Sequence, residues 1–198
     1  MNTARCLVAT LGDASRLQRV KRLIEAFHDS GFAVDLLGTS PAESLPLSGL
    51  YPLARSREAS TPIGRTIMFV QDLAPQITRT DHSFKGLAEH WDLGDLAELT
   101  ESNPYSAVVL ADIEFAPALD GFLSNVRFKV CELRDFHWKS DISDIAMTAR
   151  IRRYRRLYAR YLPSFDRVIT VSELQRQQLY DALAIDSTVI RSIPDLPD

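Results

Sequence analysis

The sequence predicts an α/β fold: a three-layer αβα domain around about seven mostly parallel strands. Three observations lead there. Short, continuously apolar runs such as Cys6-Leu7-Val8-Ala9 and Arg167-Val168-Ile169-Thr170-Val171 suit strands covered on both faces. Between them lie stretches whose apolar residues recur every three or four positions, as on one face of a helix. The two patterns alternate along the chain, which is the signature of a parallel sheet clad by its own crossover helices.

Taken in order, Cys6–Ala9 is the first strand. From Ser15 the period changes, and Leu17, Val20, Leu23, Ile24 and Phe27 form one apolar stripe, with Arg16, Arg19, Lys21 and Arg22 on the other side. Gly31 stands where a helix end calls for a residue free to take positive φ. Phe32–Leu37 is the second strand. Leu50–Leu53 is a short strand that Pro52 confines to an edge or an end, and Arg55–Pro62 is a polar loop. Helices are expected at Ile67–Val70 and at His82–Ser102, the latter weakened by Gly94. Tyr105–Ala111 is a strand, followed by a short helix over Pro117–Ser124. The last third reads as strand Phe128–Leu133, helix Ile145–Tyr161, strand Arg167–Val171, helix Glu173–Ala184 and strand Thr188–Ile193. Ser172 is placed to cap the last of these helices, its hydroxyl accepting from an otherwise orphaned backbone N–H.

A length of 198 residues, 45% hydrophobic and 25% charged, is that of one globular domain with material for a full core. A formal charge of −3 excludes a surface built overall to hold nucleic acid. Cys6 and Cys131 sit inside apolar strands, where thiols act as small core hydrophobes, so no disulfide framework is expected and a reducing cytoplasm is the expected compartment. Leu7-Val8-Ala9 is too short for a signal peptide or a membrane span.

Ligands of open parallel sheets bind outside the carboxyl ends of the strands, which reduces the polar residues to four loops. Leu11-Gly12-Asp13-Ala14-Ser15 has one glycine where a dinucleotide fingerprint needs three, so no NAD or FAD is expected. Gly12 and Asp13 are candidates for contact with a bound group near a helix N-terminus; Asp13 or Ser15 as a simple cap is the alternative. Thr39–Glu43 is the second loop. Asp112 and Glu114 follow the Tyr105 strand and can bind hydroxyl groups or lie solvated. As metal ligands they lack a third partner, and His28, His82, His90 and His137 show no ligand spacing, so no metal is expected. The fourth loop, Arg134–Asp144, is the richest. Arg134 can bind a carboxylate or phosphate bidentately, His137 can move a proton near neutrality, and Trp138 can offer a flat face. The alternative is a surface loop in which Phe136 and Trp138 pack inward.

Glu132-Leu133-Arg134-Asp135-Phe136-His137, then Phe165-Asp166-Arg167-Val168-Ile169-Thr170-Val171-Ser172-Glu173, then Ile193-Pro194-Asp195 follow one another at a telling spacing. This order resembles the end of the N-terminal domain in GT-B glycosyltransferases, the large retaining family that uses nucleotide sugars. Many members close the corresponding strand with glutamate or tyrosine, an aliphatic residue, then Arg-Asp-Leu-Trp-Pro. Arg134 and Asp135 match; the tryptophan and proline do not, since His137 and Trp138 stand there. Other branches carry histidine where this chain has Arg134, so that histidine's role is not inherited. Ser15–Phe32 is similar to the family's first helix. The likeness covers about two-thirds of the chain and thins between Leu45 and Asn103.

The resemblance implies a single Rossmann-like N-terminal domain over 1–194, with 195–198 opening a linker to a C-terminal donor-binding domain. It implies the acceptor-binding half of a glycosyltransferase that moves a sugar from a nucleotide-sugar donor to a glycan or lipid-linked acceptor, inactive without that second domain. His137 and Asp135 are then the catalytic candidates, and Arg134, Asp112, Glu114, Gly12 and Asp13 the acceptor-binding ones, with no cofactor. The rival is a self-sufficient Rossmann-like binding or regulatory module without chemistry. Arg150, Arg152, Arg153, Arg155, Arg156 and Arg160 share a helix with Met147, Ile151, Tyr154, Tyr158 and Tyr161. Such a helix can lie against the inner face of an anionic membrane, or it can pack its aromatic stripe on the sheet with the arginines solvated.

Overall fold

The computed structural model describes residues 3–39, 41, 43–55, 91–92, 105–133 and 145–190. Nine strands occur among them: β1 (Arg5–Asp13), β2 (Ala33–Thr39), β3 (Gly49–Pro52), β4 (Ala54–Arg55), β5 (Trp91–Asp92), β6 (Ala107–Leu110), β7 (Phe128–Leu133), β8 (Arg167–Thr170) and β9 (Thr188–Val189). The helices are α1 (Gln18–Asp29), α2 (Ala116–Leu123), α3 (Ile145–Tyr161) and α4 (Glu173–Leu183), with 3-10 turns at Ile113–Phe115 and Leu162–Ser164.

Seven strands form one sheet in the order β3-β2-β1-β6-β7-β8-β9, and every pairing in it is parallel. The expected fold class is therefore the observed one, a Rossmann-like α/β domain. Because successive strand residues face opposite sides, each apolar run feeds two cores at once. Leu7 and Ala9 of β1, with Val108, Leu110, Cys131, Leu133 and Val168, pack against Leu119 of α2, Leu157 and Tyr158 of α3, and Leu179 of α4. Cys6 and Val8, with Val34, Leu36, Val109, Val130 and Ile169, pack against Val20 and Ile24 of α1. Both cysteines are buried and free, as their strand settings predict.

The end of α1 shows how sequence sets local geometry. Gly31 takes φ +85, its N–H donates to the His28 carbonyl (2.9 Å), and the Phe32 N–H donates to the Phe27 carbonyl (3.0 Å). This is the Schellman pairing, and the Phe27 and Phe32 rings meet edge to face at 5.4 Å across it. At the start of α4, Ser172 caps as expected: its hydroxyl accepts from the Gln175 N–H (3.2 Å), while the Gln175 side chain accepts from the Val171 N–H (3.1 Å).

Several boundaries differ from expectation. β1 runs on through Leu11, Gly12 and Asp13, with an irregularity between Ala9 and Asp13. A turn over Ala14–Arg16 precedes α1, which starts at Gln18 and not at Ser15. Trp91 and Asp92, expected in a helix, and Arg55, expected in a loop, instead pair as antiparallel strands. That pairing joins segments far apart in sequence, so helical spacing alone could not register it. β9 ends at Val189, and Ile190 lies outside it. The expected helix at Ile67–Val70, the remainder of that at His82–Ser102, and the segments 191–194 and 195–198 lie outside the described residues.

Candidate functional site

Chain order reverses between β1 and β6: β2 and β3 lie on one side of β1, and β6 through β9 on the other. In such sheets the crevice for a ligand opens at the carboxyl ends of the two strands flanking that point. Here those ends are Thr10–Asp13 and Ala111–Asp112.

Asp112 bridges the crevice. Its Oδ2 accepts from the Leu11 backbone N–H at 2.7 Å and from the Thr10 hydroxyl at 3.0 Å, so one carboxylate ties β6 to β1 across their ends. Thr10 is fully buried, and a hydroxyl closing an otherwise apolar strand is the sequence signal that marks it. Close approach at this edge needs a glycine at position 38, where a Cβ would lie 2.9 Å from the Thr10 carbonyl oxygen. Gly12 lies in β1 beside these groups.

Asp13 turns the chain from strand toward helix. Its Oδ1 accepts from the Ser15 N–H (3.0 Å) and hydroxyl (2.7 Å), and Arg16 approaches its Oδ2 at 3.4 Å. The buried Ser15 hydroxyl in turn accepts from the Glu43 N–H at 3.4 Å, which brings the Thr39–Glu43 loop beside the first. Asp13 thus stabilises the turn ahead of α1, while the position before Gln18 is Leu17, which makes no side-chain cap. Glu114 is half-buried and accepts a short hydrogen bond from the Tyr154 hydroxyl of α3. Asp13 ends β1, and Asp112 and Glu114 follow β6 at the same edge; no cluster of three or more metal-ligating side chains occurs among the described residues.

Arg134, Asp135 and His137, with the rest of the Arg134–Asp144 loop, lie outside the described residues. The strand that feeds the loop is described to its end: Cys131 and Leu133 are buried in one core, and Glu132 faces the other. The Cys131 thiol is pushed well above its ordinary value, by burial first and then by the neighbouring carboxylates Glu114, Glu132 and Asp112.

Arg19 corrects an expectation. Its place on the polar side of the helical period predicts a solvated side chain, yet its Nε lies 2.8 Å from Glu132 Oε1, with side chains 14% and 0% exposed. The pair binds the first turn of α1 to the carboxyl end of β7. Glu132 carried the signal for it: a glutamate inside a strand buried on both faces requires a cationic partner.

Helix α3 packs its aromatic stripe on the sheet. Ile151, Leu157, Tyr158 and Tyr161 are buried, while Arg155 and Arg160 are exposed and Arg156 is half-buried. The side chains of Arg150, Arg152 and Arg153 lie outside the described residues. No described helix is long and apolar enough to cross a membrane. Compared with known proteins, the sequence matches no family model and no curated sequence.

Proposed function

We propose that this chain is the acceptor-binding half of a nucleotide-sugar-dependent glycosyltransferase. The observation that supports the reading is the grouping of Asp13, Asp112 and Glu114 at the carboxyl ends of β1 and β6, where the strand order reverses. Asp112 already accepts from the Leu11 amide, a donor that a phosphate group would otherwise use, and Asp13 and Glu114 add negative charge nearby. Carboxylates repel a diphosphate and accept readily from hydroxyls, so this edge suits a hydroxyl-rich acceptor, with the donor held by a second domain. Arg134, Asp135 and His137 leave the end of β7, two strands from β1 in the sheet, and are the side chains proposed to orient the acceptor and take its proton.

Calorimetry with uridine- and guanosine-diphosphate sugars tests this. The chain alone should bind none of them at micromolar concentration, and micromolar binding by it would overturn the assignment. In a protein that carries both domains, His137→Ala should lower turnover by roughly 10²–10⁴-fold with little change in melting temperature. A melting shift without a rate loss would make the loop structural.

The rival reading, a binding module without chemistry, draws on the way Asp13 and Asp112 are engaged in holding the edge together. Under it, Asp112→Ala lowers stability and changes no ligand affinity. Peripheral contact with an anionic membrane, if it accompanies transfer to a lipid-linked acceptor, would run through the arginine face of α3 alone, since Tyr158 and Tyr161 belong to the core.

A further inference from the structure

We draw no further inference here: the strongest candidate, the mainly aliphatic cavity of about 200 Å³ between α1 and the side chains of Ile169 and Ile190, offers only apolar surface, since the Arg19 guanidinium beside it is engaged by buried Glu132, and nothing in the structure shows what covers it.

Discussion

Asp35 is a carboxylate with no solvent exposure in the middle of a strand, and its neighbours explain why it is tolerated. Arg5 donates to its Oδ2 through Nε (3.1 Å) and Nη2 (2.5 Å), and the buried Tyr105 hydroxyl donates to the same oxygen at 2.7 Å. The Arg5 guanidinium also lies 5.8 Å from the Tyr105 ring centre. The Tyr105 phenol is pushed upward by burial and by its bond to Asp35, so it stays a donor throughout the physiological range. Tyr105→Phe should therefore lower stability by about 1–3 kcal/mol in urea unfolding, because a buried charge loses a donor while the ring packing is kept. No loss would mean that Arg5 alone satisfies Asp35. The two thiols make a second case. Burial pushes Cys6 up to about 12 and moves Cys131 in the same direction. In the unfolded chain both ionise near the ordinary value of 9.0. Their contribution to stability is thus fully present below about pH 9, then declines toward pH 12 as only the unfolded chain sheds the proton. The slope is about 1.4 kcal/mol per pH unit for each thiol. Cys6→Ala should flatten the decline measured between pH 9 and 11 by about one proton, and an unchanged slope would show that the thiol ionises within the fold.

At the scale of elements, α4 is well started and poorly stopped. Ser172 and Gln175 satisfy backbone donors at its first turn, whereas exposed Ala184 closes it at φ 55, in the left-handed region where an alanine Cβ is strained. Ser172→Ala should cost about 1 kcal/mol, and Ala184→Gly should stabilise the protein by up to about 1 kcal/mol. The opposite sign for Ala184→Gly would mean that the gain in unfolded-chain entropy outweighs the relief of strain. Helix α1 depends on a longer connection. Arg19→Met leaves Glu132 buried beside an apolar side chain and should cost about 3–5 kcal/mol, whereas Arg19→Met with Glu132→Leu should recover most of it. A double variant as unstable as the single one would show that packing volume, not charge, sets the cost.

At the scale of the whole molecule, the strand order converts scattered polar residues into one edge. Thr10, Gly12, Asp13, Asp112 and Glu114 are separated by about a hundred residues of chain, and parallel pairing of β1 with β6 brings them together. The same order leaves α1 as the only described helix on its face, with α2, α3 and α4 on the other.

Local chemistry determined much of this from sequence alone. Apolar runs located the seven parallel strands, helical spacing located α1, α3 and α4, Gly31 marked a helix end, and Ser172 marked a helix start, because each depends on neighbours within a few residues. Tertiary structure alone decided the rest. The helical period gives Arg19 a solvated side, and only the packing of α1 over β7 supplies Glu132. Asp112 reads as a free ligand for hydroxyls until β1 presents the Leu11 amide and Thr10 hydroxyl to it. Trp91 reads as helical until Arg55 pairs with it. In each of these the deciding partner is remote in the chain, and the energy of a buried charge or a strand pairing exists only once the fold has brought it there.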